Sequence, residues 1–164
     1  MIYFGKSEKD FQEIYRTHGI RVRRTLQGMV GSPAIAEELT QEAFLKGWKN
    51  LASFRFKSSL STWIYQIAIN TALDWLRSHK VKWAQAEVEG SSESELTPEK
   101  RAVTEALMEL DEANRALLVL HYYEGLDQKE IGMILKIPEG TVKSRLHTAK
   151  ALLKPLLMNR GFDV

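Results

Sequence analysis

Between residues 128 and 150 the chain carries side chains suited to reading a nucleic-acid surface rather than to breaking bonds. Gln128 to Leu135, then Lys136-Ile137-Pro138, then Glu139 to Lys150 fits a helix, a short turn and a second helix. On the second helix Val142, Leu146, Ala149 and Leu153 recur at three- and four-residue steps and form an inward seam. Thr141, Lys143, Ser144, His147 and Thr148 project outward or flank that seam, and the positive end of the helix dipole favours phosphate. A helix pair with this pattern binds DNA more often than it merely packs. The expected buried positions of the pair are Ile131, Leu135, Ile137, Val142 and Leu146. Gly132 is small enough to let the helices approach, and Pro138 stops the first helix while suiting the first turn of the second. Lys136 stands in the turn where glycine is commoner.

Two further helices carry chemistry on one side. From residue 61 to 77, Ile64, Ile67, Ala68, Thr71 and Trp75 share an apolar side, while Thr62, Gln66, Asn70 and Arg77 share the opposite side with Ile69 and Leu73. A polar, partly basic face with apolar relief can grip single-stranded nucleic acid through stacking and phosphate contacts. The solvated face of an ordinary helix has the same composition. From Ala34 to Asn50, Ile35, Ala36, Leu39, Ala43 and Phe44 form a broad apolar face, leaving Glu38, Gln41, Glu42, Leu45 and Lys49 on the other side and Trp48 at its edge. A leucine and a tryptophan rimmed by Glu38, Gln41 and Glu42 suit the centre of a protein interface. A slightly different helix phase would bury Leu45 instead. Gly47, in mid-helix, costs about 1 kcal/mol relative to alanine with no reason visible in the sequence.

No nucleophile elbow, phosphate-cradling glycine loop, metal-ligand spacing or paired-carboxylate signature occurs, so an enzyme is not expected, nor a cofactor. His18, His79, His121 and His147 are scattered and offer no i, i+4 clamp for a metal. With no cysteine, the chain has neither a disulfide framework nor a thiolate zinc site, so any redox or zinc sensing must belong to a partner. The apolar runs fall far short of the roughly 18 residues a membrane helix needs, and the opening Met1-Ile2-Tyr3-Phe4-Gly5-Lys6 lacks a signal peptide's order. A cytoplasmic location is expected.

These side chains must be positioned by an almost wholly helical scaffold. Hydrophobic residues recur in threes and fours, no strand alternation stands out, and proline is absent from 34 to 97. Helices are expected at about 8–28, 34–50, 61–79, 99–110, 113–124, 128–135 and 139–157. Ser32-Pro33 can start the second, Ser59 or Ser61 can cap the third, and Gly125 suits the end of the fifth. The stretch from 81 to 98, through Glu87-Val88-Glu89-Gly90-Ser91-Ser92-Glu93-Ser94-Glu95, has little to bury and predicts a flexible acidic linker between domains 1–80 and 99–164. Fully extended it would reach on the order of 60 Å, comparable to sixteen or seventeen base pairs of B-DNA at about 3.4 Å each.

The net charge of +2 conceals a partition. Residues 1–80 carry twelve basic and seven acidic groups and residues 129–164 seven and three, whereas 81–98 have one and four and 99–128 three and seven. Positive charge collects where the DNA-reading elements are proposed, as phosphate contact requires.

Taken together, these segments resemble the conserved regions of a small bacterial sigma factor of the extracytoplasmic-function kind, over about residues 8 to 157. Glu37-Glu38-Leu39-Thr40-Gln41-Glu42-Ala43-Phe44-Leu45-Lys46-Gly47-Trp48 resembles region 2.2, which in that family docks on the clamp helices of the largest RNA polymerase subunit. The resemblance carries core-polymerase binding to Gln41 and Glu42, and the helical wheel adds Glu38, Leu45 and Trp48. Ser61-Thr62-Trp63-Ile64-Tyr65-Gln66-Ile67-Ala68, followed by Asn70 and Asp74, resembles region 2.3, which opens the minus-ten promoter element. It implies minus-ten contacts from Trp63, Gln66 and Asn70 and from Arg55, Lys57 and Ser58 in the preceding loop. Family members usually have a Gly-acidic pair where this chain has Phe56-Lys57, which leaves the loop's base preference open. Leu126 to Leu153 resembles region 4.2, whose second helix reads the minus-thirty-five element. Lys143 and Arg145 are then candidates for phosphate or guanine, and Thr141, Ser144, His147 and Thr148 for base edges. Glu99 to Glu124 resembles region 4.1, which sits against the flap of the second-largest subunit.

The resemblance implies an all-α protein of two small domains, monomeric when free. Its partners are core RNA polymerase, promoter DNA and an anti-sigma factor that can hold it at the inner face of the membrane. The energy of strand opening would come from binding, since capturing an extruded base offsets a cost of a few kcal/mol. A stand-alone helix-turn-helix regulator is the competing reading; it would act as a dimer on duplex DNA and leave the face of Leu45 and Trp48 without a purpose.

Overall fold

In a computed structural model, residues 8–55, 57–86 and 97–164 are described, and among them helices account for all regular structure. The elements run α1 (Glu8–Val30), α2 (Pro33–Asn50), a 3₁₀ turn (Leu51–Ser53), α3 (Leu60–Ala86), α4 (Pro98–Met108), α5 (Glu112–Tyr122), α6 (Gln128–Leu135) and α7 (Glu139–Met158). The expected all-α architecture is therefore the observed one.

Local chemistry sets most of the boundaries. The Ser32 hydroxyl accepts from the Ile35 amide at 3.3 Å and Pro33 takes the first helical position of α2. Ser59, not Ser61, caps α3, its hydroxyl oxygen accepting from the Thr62 amide at 3.0 Å. Asp127 and Glu130 close a reciprocal capping box at the start of α6. Gly125, past the end of α5, has φ +64°, a conformation that costs glycine nothing.

One boundary differs. The sequence predicts the linker from residue 81, but α3 continues to Ala86, because Val81 to Ala86 contains no breaker and two alanines. At the other end, Thr97 caps α4 and Pro98 begins it. The rest of the expected linker, residues 87–96, lies outside the described residues.

Helices α1 to α3 form a first lobe around Val22, Leu26, Leu39, Phe44, Ile64 and Ala68, all buried. Helices α4 to α7 form a second around Leu117, Leu120, Ile131, Val142 and Leu146. The lobes lie against each other, α1 meeting α4 and α5, and α3 meeting α5 and α6. Their buried apolar residues join into one cluster. This explains a departure on α3: Ile69, expected on the DNA-facing side, is only 1 % exposed. Leu73, expected there too, is half-buried. The helix packs on two sides, and a wheel for a one-sided helix cannot anticipate that.

Candidate nucleic-acid interface

The loop between α2 and α3 is built by short-range bonds. Asn50 Nδ2 donates to the Lys46 carbonyl at 2.8 Å, the Ser53 hydroxyl donates to the Asn50 carbonyl at 2.7 Å, and the Phe54 amide closes the 3₁₀ turn onto Leu51 at 3.2 Å. The Phe54 ring then rests on the Trp63 indole, centroids 5.0 Å apart. Around this aromatic pair opens a cleft of about 390 Å³ lined by Arg55, Lys57, Ser58, Trp63 and Gln66. Five of the six minus-ten candidates thus meet at one place, although they come from two stretches of chain. The sixth, Asn70, is exposed one helical turn beyond Gln66 on α3 and does not line the cleft. Two cations, an indole and an amide around one opening can neutralise phosphate, stack a base and hydrogen-bond its edge.

One wall of the cleft belongs to the second lobe. Met133 of α6 lines it, and its carbonyl accepts from Gln66 Nε2 at 2.6 Å.

On α2, Ala36, Leu39, Ala43 and Phe44 are buried and Ile35 is half-buried, as the wheel predicts. Glu38, Gln41 and Glu42 are exposed, with Leu45 58 % and Trp48 38 % exposed beside them. The phase that would have buried Leu45 is not the one adopted. Trp48 is held from behind by Phe11, 5.1 Å away between centroids, and Phe11 in turn meets the Phe44 ring edge-on at 6.0 Å. Gly47 now has a reason: a Cβ there would lie 3.1 Å from Ile64 Cδ1, so the glycine suits the close packing of α2 on α3.

In the second lobe, Ile131, Val142, Leu146 and Ala149 are buried and Leu135, Ile137 and Leu153 half-buried, which satisfies the expected seam. Lys143, Ser144, Arg145, His147 and Thr148 are exposed and Thr141 half-exposed on α7. The Ser144 and Thr148 hydroxyls donate to helix carbonyls at 3.1 and 3.2 Å, which keeps their oxygens free to accept from a base. Gly132 is required by contact, since a Cβ would come within 2.8 Å of the Ile137 carbonyl oxygen. Lys136 adopts the left-handed conformation, φ 55° and ψ 46°, that the tight turn demands. A non-glycine residue pays about 1–2 kcal/mol there.

Several organising residues escaped the reading of the sequence. Arg115 is 6 % exposed, and its guanidinium donates to the carbonyls of Leu107, Met108 and Leu110 at 2.8–2.9 Å and of Met29 at 2.6 Å. It neutralises the carbonyl ends of α4 and α1 at once. Burial pulls its pKa below the ordinary arginine value, while Glu112 and Asp111 act in the opposite direction. Glu124 gathers Arg21, Thr25 and Tyr65 from the first lobe. Burial, then the Glu124 bond, raises the Tyr65 phenol far above its usual range, so it remains a donor. Arg115, a charge within the apolar run of α5, was the one available hint, whereas Glu124 and Tyr65, 59 positions apart, offered none. Among the described residues no cluster of three or more metal-ligating side chains occurs.

Fold and surface together define a two-lobed helical protein that presents a helix-turn-helix on one lobe and a basic, aromatic cleft on the other. Residues 14–81 match the Sigma-70 region 2 family and residues 100–153 the Sigma-70 region 4 family. The chain is 31 % identical over 171 residues to the ECF RNA polymerase sigma factor SigW of Bacillus subtilis, covering 93 % of this chain and 91 % of that one. It is 32 % identical over 159 residues to SigM of the same organism, covering 92 % and 96 %. Its fold is similar to that of the sigma factor RpoE from Bartonella quintana, solved in complex with the anti-sigma factor NepR, with a TM-score of 0.73 and 22 % identity over 92 % of this chain and 98 % of that one.

The chain belongs to the extracytoplasmic-function family of RNA polymerase sigma factors. It is a non-enzymatic initiation factor that binds core RNA polymerase and directs transcription from particular promoters. Sigma factors act in the cytoplasm, and among the described residues no helix is long and apolar enough to cross a membrane.

Proposed function

We propose that the three surfaces divide the work of initiation. The α2 face of Glu38, Gln41, Glu42, Leu45 and Trp48 docks on core polymerase. The cleft of Arg55, Lys57, Ser58, Trp63 and Gln66, with Asn70 beside it, takes the melted minus-ten strand. The α7 face of Thr141, Lys143, Ser144, Arg145, His147 and Thr148 reads the minus-thirty-five duplex. The first two tasks belong to domain 1–80 and the third to domain 99–164, and the free protein is a monomer.

The observation that carries this reading is the convergence of loop and helix residues on one basic, aromatic opening. Capture of an unstacked base there would offset the cost of extruding it, so no nucleotide need be hydrolysed. An anti-sigma factor, free or anchored in the membrane, controls access to these surfaces; support comes from the similar fold solved with such a partner.

The test compares two steps of initiation on a promoter the protein recognises. Trp63→Ala and Asn70→Ala should leave closed-complex formation nearly intact while sharply reducing permanganate reactivity of minus-ten thymines. Equal loss at both steps would reject a strand-capturing role.

A further inference from the structure

Which base the cleft takes can be read from the hydrogen-bonding groups that line it. Arg55 and Lys57, both exposed, carry N–H donors and no acceptor. Acceptors come from two neutral side chains. The Gln66 amide nitrogen donates to the Met133 carbonyl at 2.6 Å, which orients the amide and leaves Oε1 to accept, and the Ser58 hydroxyl donates to the Ser59 carbonyl at 3.2 Å, which leaves its lone pairs. Among the described residues no carboxylate lines the cleft. Phe54 and Trp63, with centroids 5.0 Å apart, supply an aromatic surface for stacking, and the volume of about 390 Å³ is within the usual range for small-ligand pockets.

Set against the four bases, this lining favours one. Cytosine and adenine carry an exocyclic amino group where thymine and guanine carry a carbonyl oxygen. An amino group brings hydrogens to cations that already hold only hydrogens, and its usual acceptor, a carboxylate, is missing from the lining. A glutamine reads adenine bidentately through both ends of its amide, but the Gln66 nitrogen is turned to Met133. Thymine offers a cation a single carbonyl, O4, on that edge. Guanine suits the whole set, because O6 and N7 accept side by side from Arg55 and Lys57 while its ring N–H and amino group can donate to the Ser58 and Gln66 oxygens. The competing use of two cations is a phosphate, which any sequence supplies. A phosphate has no use for the indole or for the neutral acceptors that share the opening with them.

We infer that the cleft selects guanine from the melted strand, with Lys57 and Arg55 setting the preference and Trp63 supplying stacking that is indifferent to the base. The inference rests on the role of the cleft given above and adds the identity of what it holds. Lys57 is then a specificity-determining residue. Its charge faces the one edge on which the bases differ most, and a purine covers more of the indole than a pyrimidine does.

The test uses the full chain on core RNA polymerase and a promoter that it recognises, pre-melted over the minus-ten element. Each unpaired position of the strand is replaced in turn by the four bases, and binding of the wild type, Trp63→Ala, Lys57→Met and Lys57→Glu is compared at one salt concentration. The wild type should show one position at which guanine binds about tenfold more tightly than adenine or cytosine, as a bidentate pair allows. Lys57→Met should narrow that preference, and Lys57→Glu should turn it toward cytosine, whose amino group a carboxylate accepts. Lys57 is an exposed loop residue, so both variants should keep the wild-type circular dichroism. Adenine or cytosine preferred by the wild type would overturn the inference. So would Lys57 variants that weaken binding equally for all four bases, which would make Lys57 a phosphate contact. Trp63→Ala separates this inference from the reading beneath it: no loss at any unpaired position would mean that the cleft holds no strand, and both would fall. A loss at one position that shows no preference for guanine would overturn the selectivity alone.

Discussion

Gly132 and Gly140 are eight residues apart in the same helix-turn-helix, and their surroundings give them opposite predictions. A methyl group on Gly132 meets a backbone oxygen at 2.8 Å, whereas one on Gly140 meets nothing within 4 Å. Forcing extra volume into a packed site costs about 1–3 kcal/mol, against at most about 1 kcal/mol gained by replacing a helical glycine with alanine. Gly132→Ala should therefore lower the melting temperature and Gly140→Ala should leave it unchanged or raise it, as read by thermal unfolding. Two equal shifts would mean that the close approach of α6 to the turn is not what selects glycine. The sequence already pointed to Gly132, because helix-turn-helix geometry is local. It was silent on Gly47, whose neighbour Ile64 lies on another helix, and on Glu124, whose three donors come from α1 and α3. Local constraints leave a trace in spacing; a bond between distant residues leaves none in a single sequence.

At the scale of elements, the seven helices among the described residues were legible because their apolar periodicity and capping residues agree. The exposed face of α2 follows from the same periodicity, and it supplies a prediction of its own. Leu45 and Gln41 project from a helix whose opposite side is buried, so Gln41→Ala with Leu45→Ala should leave stability within about 0.5 kcal/mol. If this face is the docking centre, losing two central contacts of 1 kcal/mol or more each should weaken core-polymerase binding by about tenfold or more. Unchanged affinity, measured by fluorescence anisotropy on the folded variant, would move the docking surface elsewhere. Helix α3 is not one-sided. Its second packed side, with Ile69 buried and Gln66 bonded to Met133, exists only because another lobe arrives there. The unbroken run from Val81 to Ala86 offered a sign that α3 would continue, but the acidic, small-residue composition that follows outweighed it.

For the whole molecule, charge and packing point in complementary directions. The two basic segments, 1–80 and 129–164, hold the surfaces proposed for DNA, and the acidic 99–128 segment supplies Glu124, which accepts hydrogen bonds from Arg21, Thr25 and Tyr65 of the first lobe. Two domains could be read from composition, but their mutual position could not, since it depends on a buried carboxylate and an arginine that satisfies carbonyls on both lobes. This chain confers promoter choice on a polymerase that lacks it. Run-off transcription with core RNA polymerase and genomic fragments, with start sites sequenced, tests that claim most directly. Adding the protein should produce new, discrete start sites preceded by a shared pair of sequence elements. Unchanged initiation, with or without the protein, would contradict the account.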